Sequence, residues 1–410
     1  MTLANDGATA ERSAALPVMP SLTLIVSLVL ATALGPLAMS SFIPAIPFIQ
    51  DEFAVSTTTA QLTLTLSMLA MAVASLAYGG LADRFGRKPV LLAGIVLATA
   101  GSLVCAAAPH VWAVIFGRIL QAAGASAGMV LARVIVRDVY GDERSTSILA
   151  YVTAAMAIAP LMGPILGGYV IDYLGWRVLF LAVTLLAALL MALVAVRLPE
   201  TRPAALAAAP PRGVFAGPHY IALLKRGAYV RFALYGAMMQ GVFMAFIGGA
   251  PYVATEVFQL SAAAYGWHFM VAPIGYLIGS LIAGRFGNRF SREPLLKTGA
   301  LAAVAVCAVA LWTTAQPWFG AWSFFVPMCA LSAVIGMVFP SAQVGLLISG
   351  GDQSGAASGL FSFVQLALGA LLAQIVGALL GFGPVAVNGV MATAAVIALV
   401  TIMTPLRAAR

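Results

Sequence analysis

Twelve long apolar windows, bounded by charged residues or by Pro and Gly, constrain this chain more than any other feature of its sequence. A helix of about 20 residues crosses the bilayer, and every window is long enough for one. Only 8% of residues are charged, against about 25% in soluble domains. Helices and closed barrels are the structures that satisfy the backbone in lipid, so an all-α membrane protein is predicted. The windows cover residues 20–43, 58–80, 89–108, 111–136, 146–170, 177–197, 229–252, 265–283, 295–314, 321–346, 357–381 and 385–406.

A polar, proline-rich segment at residues 198–228 separates six windows from six and predicts a surface linker between two halves. Residues 82–88 resemble residues 283–289 at an offset of about half the chain, as expected of parallel six-helix repeats. The predicted organisation is a cytoplasmic tail (1–19), a six-helix bundle (20–197), a cytoplasmic linker (198–228), a second bundle (229–406) and a cytoplasmic end (407–410).

The distribution of the 21 Lys and Arg residues predicts the topology. They occupy both ends of the chain, the linker and every second connection, whereas the alternate connections hold only Arg177. By the positive-inside rule, both termini and the linker are cytoplasmic. The net charge of +8 is therefore topological, and nucleic-acid binding is not expected.

Several other function classes are also excluded. The three cysteines lie in apolar windows, so neither a disulfide framework nor a metal site is predicted. No ATP-binding Gly-x-x-x-x-Gly-Lys-Ser/Thr motif is present. We therefore expect neither an enzyme nor a cofactor, but a protein that uses an ion gradient or the gradient of its substrate.

The connection between the second and third windows, residues 80–89, reads GLADRFGRKP. It resembles the loop signature of the major facilitator superfamily, in which a tight glycine turn presents one acid and several bases. In the second copy Gly284 replaces the acid. The resemblance implies a breakable inner-gate latch, whereas a purely topological role remains the alternative. Its residues are Gly80, Asp83, Arg84, Gly86, Arg87 and Lys88.

The fourth window, together with this loop and residues 355–360, resembles the Bcr/CflA group of drug:proton antiporters. The similarity covers nearly the whole chain. It implies a major facilitator fold with 12 transmembrane helices in two pseudo-symmetric six-helix bundles. It also implies a monomer that exports small drug-like molecules, such as bicyclomycin and phenicols, across the bacterial inner membrane by proton antiport.

Arg118 within the fourth window is the main candidate for this function. A charged side chain at bilayer depth costs at least about 2.5–3.5 kcal/mol, so it should face the bundle interior. Gln121 shares its helix face. The resemblance implies that the arginine acts in proton coupling or substrate binding, and the alternative is a structural arginine bonded to backbone carbonyls.

The fifth window resembles the antiporter signature of the superfamily through Gly163, Pro164, Gly167 and Gly168. Ala150 and Ala159 stand where glycine is usual. Glycines four residues apart form a smooth face for close helix packing, and Gly275 and Gly279 in the eighth window offer a matching face. Generic helix packing is the alternative interpretation.

No Asp or Glu falls in the middle of a window, and Ser40 stands where family members commonly carry an acid. A cavity with an arginine and no carboxylate favours neutral, zwitterionic or anionic substrates over lipophilic cations. Proton coupling must then use His268, Asp83 or Glu256. The missing acid also leaves open an importer or an uncoupled facilitator.

The substrate cavity is expected to be lined by polar and aromatic side chains near the middle of the windows, although ordinary packing explains each one equally well. These candidates, besides Ser40, are Gln61, Thr65, Tyr235, Met239, Phe243, Phe361 and Gln365.

Overall fold

A computed structural model describes residues 22–202, 217–286, 291–351 and 354–404, and helices with short connections make up these ranges. In the first half, a 3-10 turn at Ile43–Ala45 joins the first two helices. The helices are α1 (Leu22–Phe42), α2 (Ile46–Phe53), α3 (Thr57–Phe85), α4 (Arg87–Ala106), α5 (Val111–Leu174) and α6 (Trp176–Arg197).

The second half begins with a short helix and continues through longer ones. A π-helical turn at Val253–Val257 and a 3-10 turn at Leu380–Phe382 end two of them. The helices are α7 (Gly217–Leu224), α8 (Gly227–Tyr252), α9 (Ala262–Phe269), α10 (Val271–Phe286), α11 (Arg292–Thr313), α12 (Ala321–Gly350), α13 (Ser354–Leu379) and α14 (Pro384–Met403).

The all-α prediction is confirmed, since eleven helical stretches in the described ranges are long and apolar enough to cross a membrane. The two predicted windows at 111–136 and 146–170 form one helical run, α5. The linker prediction needs a correction, because residues 198–228 include the helix α7. That helix has only eight residues, and the prolines in and before it favoured a linker over a helix in the sequence analysis.

Helix α5 cannot be one straight rod. Arg118 donates to the carbonyl of Ala38, while the carbonyl of Ala159 accepts from Ser40, two residues further along α1. A straight helix would separate positions 118 and 159 by about 60 Å at 1.5 Å per residue. The run therefore folds back between these contacts, and both of its arms pack against α1.

The two ends of the bundle are named here by one residue each. The Arg177 end holds Arg177, where α5 ends and α6 begins, and the Arg87 end holds Arg87, where α3 ends and α4 begins. Gly86 joins α3 to α4 at φ +101°, a conformation that favours glycine. A Cβ at this position would also collide with the carboxylate of Glu200.

Small residues bring the backbones of α4 and α5 into direct contact. A Cβ added to Gly101 or Gly117 would overlap the facing backbone of the other helix, and the same holds for Gly124 against Ala98. This close packing fixes the first arm of α5 against α4. Arg118 and Gln121 on that arm are thereby held at defined depths in the bundle.

Two helix pairs make the most extensive contacts between the halves in the described ranges. Helix α3 packs along α13, where Thr65 donates to Gln374 at 2.8 Å and the Gln374 amide donates to the Thr58 carbonyl at 3.1 Å. At the Arg177 end, the second arm of α5 packs on α9, where Gly168 meets Ala262. The halves are therefore joined at the Arg177 end in this conformation.

Candidate functional site

Arg118 is one of the largest fully buried side chains of the described chain, at 2% exposure. It lies inside the first half rather than on the lipid-facing surface. Its Nη1 atom donates to the Ala38 carbonyl at 3.3 Å and to Oε1 of Gln121 at 2.5 Å. The position on an interior face agrees with the sequence-based expectation.

A short chain of hydrogen bonds continues from Arg118 into α4. The amide of Gln121 donates to Oγ of Ser102 at 2.7 Å, and Ser102 donates to the Ala98 carbonyl at 2.9 Å. Gln121 is therefore oriented with its oxygen toward the guanidinium. This network fixes the direction of the arginine without neutralising its charge.

The Arg118 guanidinium has a hydrogen-bond donor that is not used in this conformation within the described ranges. Its Nε atom is buried and has no hydrogen-bond partner within the described ranges. The Phe42 ring lies 4.1 Å from Cζ, a cation–π contact that partly offsets the lost hydration. No ion pair with a carboxylate is formed by Arg118 in the part of the chain described. A buried positive charge with an unused N–H donor can still bind a ligand.

A small cavity lies beside Arg118 and Gln121. Helix α1 contributes Gly35 and Met39 to its wall, and α3 contributes Ser67 and Met71. Its volume of about 10 Å³ leaves room for at most one water molecule. A drug-sized ligand requires several hundred Å³, so the walls must separate before one can enter beside the guanidinium.

The Arg87 end holds a second charged cluster. Arg87, at 3% exposure, donates to Asp138 at 3.0 Å through Nε and to Asp83 at 2.5 Å through Nη1. Asp83 and Arg87 thus pair as the predicted latch requires, and Arg84 lies exposed beside the Phe85 ring. The sequence interpretation did not include Asp138 in the latch, although it follows Arg137 just after the fourth window.

Glu200 caps the start of α4 from the end of α6. Its carboxylate accepts from the backbone N–H groups of Arg87 at 2.9 Å and Lys88 at 3.3 Å, and from those of Thr201 and Arg202. Partial burial raises the pKa of Glu200, but these four donors outweigh it and hold the pKa below its usual value. Sequence reasoning missed Glu200, and the only signal was an acid just after the sixth window.

The antiporter segment packs differently from the prediction. A Cβ on Gly163 or Gly167 would overlap Ser40 or Ser41 of α1, whereas Gly275 and Gly279 face the backbone of α12. The prediction that these two glycine pairs meet each other is therefore wrong. The contact with the fifth window is made at the start of the eighth window, where α9 packs on Pro164 and Gly168. The small-residue pattern indicated close packing but could not identify the partner helix.

Asp172 joins the two halves at the Arg177 end. Its carboxylate oxygens accept from the backbone N–H groups of Ala262 at 3.0 Å and Ala263 at 2.9 Å, the first residues of α9. Trp267 also donates to the Tyr169 hydroxyl at 3.3 Å. Sequence reasoning did not single out this acid, because the chain places Asp172 and Ala262 90 positions apart.

The proposed proton carrier His268 lies on α9, away from the Arg118 cavity lining. Its Nδ1 atom is 2.8 Å from the Ala264 carbonyl oxygen, which can only accept, so Nδ1 carries a proton. The ring packs on Trp322 with centroids 4.3 Å apart. Glu256, the other candidate near this end, is exposed.

The predicted cavity residues fall into two groups. Ser40 donates to Ala159, and Gln61 and Thr65 lie on the α3 face that meets α13. Both amide atoms of Gln61 are buried without a hydrogen-bond partner in the described ranges. In the second half, the Tyr235 hydroxyl donates to the Leu296 carbonyl at 3.0 Å.

The remaining candidates in the second half are aromatic, sulfur-containing or polar. Met239 is fully buried, Phe243 packs near Phe269, and Phe361 packs near Phe339. Gln365 is half-buried. The structure therefore brings Gln61 and Thr65 to the boundary between the halves, whereas Tyr235 is engaged within the second bundle.

Comparison with known proteins identifies the kind of molecule. The family profile described as Major Facilitator Superfamily matches residues 28–373. The chain is 24% identical to the bicyclomycin resistance protein homolog of Haemophilus influenzae, over 87% of this chain and 89% of that protein. It is 38% identical to the chloramphenicol resistance protein of Pseudomonas aeruginosa, over 36% of this chain and 35% of that protein.

Among solved structures, the chain superposes on a D-xylose-proton symporter with a TM-score of 0.76 at 16% identity. The match covers 93% of this chain and 97% of that one. Identity at this level is informative about the fold alone. It supports the arrangement of helices described above.

Proposed function

The chain belongs to the Major Facilitator Superfamily of membrane transporters, and on that premise we propose that it exports small drug-like molecules, neutral or zwitterionic in preference to cationic. The observation that carries the substrate preference is the buried guanidinium of Arg118, which has no carboxylate partner in the described residues. A lipophilic cation beside it would lose its hydration without gaining a counter-charge. The relatives named for bicyclomycin and chloramphenicol resistance support drug export.

We assign the Arg87 end to the cytoplasm and the Arg177 end to the outside, in accordance with the distribution of basic residues. The contacts of Asp172 with α9 and of Gln374 with α3 then close the outer side. Export requires these contacts to break while the substrate stays bound. The side-chain amide of Gln61 lies at this boundary and has no hydrogen-bond partner in the described residues. When the halves separate, it gains hydrogen bonds to water or to the substrate.

Proton antiport is the proposed energy source. One proton exchanged for one neutral molecule supplies about 2.3 kcal/mol per 100 mV, or roughly fifty-fold accumulation. Asp83 pairs with Arg87 at the cytoplasmic end, and His268 offers Nε2 near the outer end. Uphill export that persists in His268→Ala at every pH would remove His268 from this role.

Everted membrane vesicles test the function directly. Acidify the vesicle lumen, add chloramphenicol, and follow a pH-sensitive dye together with drug uptake. An antiporter accumulates the drug in the lumen and makes the lumen more alkaline, whereas an uncoupled facilitator changes neither the pH nor the final drug ratio. Tetraphenylphosphonium serves as the cationic control, and preferential transport of this cation would contradict the proposed substrate class.

A further inference from the structure

A second cavity opens at the Arg177 end, on the boundary between the halves. Its first-half wall is Gln50 and Thr57, and its second-half wall includes Tyr252, Glu256 and Leu380. Its volume is about 190 Å³. This volume is below the 300–1,000 Å³ of pockets for drug-sized ligands, so it suits a smaller molecule.

Two buried polar atoms of this cavity have no hydrogen-bond partner in the described part of the chain. The Tyr252 side chain is only 4% exposed, and its hydroxyl makes no hydrogen bond within the described ranges. Oε1 of Gln50 is likewise buried and unbonded there. Leaving such groups unsatisfied costs about 1–3 kcal/mol each, so a ligand that bonds to them recovers this free energy.

The charge of the cavity is negative. Glu256 lines it, and its carboxylate forms no ion pair or hydrogen bond in the described chain. Asp51 lies next to the lining residue Gln50. Arg177, the only basic residue of the predicted outer connections, is engaged with Glu52 and the Ala108 carbonyl.

The donor and acceptor pattern defines the ligand. The Glu256 carboxylate and the Gln50 oxygen are acceptors only, and the Tyr252 hydroxyl both donates and accepts. We propose that this cavity is a binding site for small organic cations that carry a guanidinium or primary ammonium group. Several N–H donors on one compact positive group satisfy all three side chains, and the positive charge strengthens the hydrogen bond to the Glu256 carboxylate, which a neutral or anionic molecule does not do.

The site goes beyond the export of neutral molecules through the Arg118 region, since it binds a cation in a separate cavity that shares no lining residue with the one beside Arg118. Its ligand contacts residues of both halves. A bound cation therefore stabilises the conformation in which the halves are joined at the Arg177 end. Ligands that prefer one conformation shift the equilibrium toward it.

Calorimetric titration of the purified full-length protein with butylguanidine tests the proposal without relying on transport. Butylurea has nearly the same shape and also carries N–H donors but has no charge, so it should bind at least about tenfold more weakly. We expect Glu256→Gln to weaken butylguanidine binding at least about tenfold, and Tyr252→Phe to weaken it about fivefold, the loss of one hydrogen bond. Gln50→Leu should also weaken butylguanidine binding several-fold, because it removes the acceptor that the first half contributes to the cavity.

Asp51→Asn is the matched control, since it removes the same charge from a neighbouring position that does not line the cavity. Its affinity for butylguanidine should fall clearly less than that of Glu256→Gln, because Asp51 adds negative charge nearby but does not line the cavity. The absence of saturable butylguanidine binding, equal binding of butylurea, or equal losses in Asp51→Asn and Glu256→Gln would each overturn the proposal. Drug export can fail in vesicles while this binding persists, so the two proposals are separable.

Discussion

Two buried arginines in the first half meet the cost of burial in opposite ways. Arg87 is 3% exposed and bonds to two carboxylates, whereas Arg118 is 2% exposed and bonds to a carbonyl and an amide. Arg87 is the first residue of α4, and Arg118 lies on α5, which packs against α4. Their places in the fold therefore do not explain why only Arg87 has carboxylate partners. Ion pairs with two carboxylates neutralise Arg87 and join helices at the Arg87 end, whereas no carboxylate in the described residues neutralises Arg118.

The first prediction removes the unpaired charge. Arg118→Ala should abolish chloramphenicol export, with a decrease of at least about a hundredfold, or 2.7 kcal/mol, because the proposed substrate contact is lost. Initial rates in everted vesicles at equal protein levels measure it. The matched control is Arg133→Ala, an exposed position on the same helix. Export that is unchanged in Arg118→Ala, or equally reduced in Arg133→Ala, would contradict a role for Arg118 in transport.

The second prediction removes a partner of the paired arginine. Asp138→Ala leaves Arg87 buried with only the half-exposed Asp83, and breaking such a pair costs about 3 kcal/mol or more. The midpoint of thermal unfolding in detergent should fall accordingly. Asp83→Ala should cost less, because Asp83 is 41% exposed and its interaction is screened by solvent. Equal destabilisation by the two substitutions would contradict this ranking.

Sequence reasoning predicted the helices and the interior position of Arg118 because both follow from the cost of polar groups in lipid. It identified Asp83 and Arg87 because the connection between the second and third windows resembles a family loop signature. It missed Asp138 and Glu200, which are 51 and 113 positions from Arg87. Local patterns report helix faces, whereas these partners depend on how distant helices pack.

The same limit explains the error at the glycine pairs. Gly163 and Gly275 each indicate a smooth helix face, but their actual partners are Ser40 and Cys329. Any smooth face can pack against any other at the same depth, and spacing does not distinguish among them. For the substrate wall, Tyr235 shows that a polar atom within a window often bonds to a neighbouring helix of its own bundle.

The third prediction converts Arg118 into a paired arginine. Gln121→Glu places a carboxylate where the amide oxygen now lies 2.5 Å from Nη1, with almost no change of shape. We expect chloramphenicol export to fall about tenfold, or 1.4 kcal/mol, because the internal pair competes with the substrate. Gln121→Met, which removes the hydrogen bond but adds no charge, is the control. If Gln121→Glu exports as well as the unmodified protein, the unpaired state of Arg118 is not required.

The smallest effect concerns Glu200, which connects the Arg87 cluster to α6 without a buried charge. Its folded-state pKa is lowered, so its stabilising contribution is present above the unfolded value of about 4.3 and is lost as pH falls through the folded pKa. Glu200→Gln should therefore unfold at a lower temperature than the unmodified protein at pH 7, and the difference should vanish in strongly acidic buffer. A difference between Glu200→Gln and the unmodified protein that stays constant down to pH 3 would contradict the prediction, because it would show that the charge of Glu200 does not contribute to the stability of the Arg87 end.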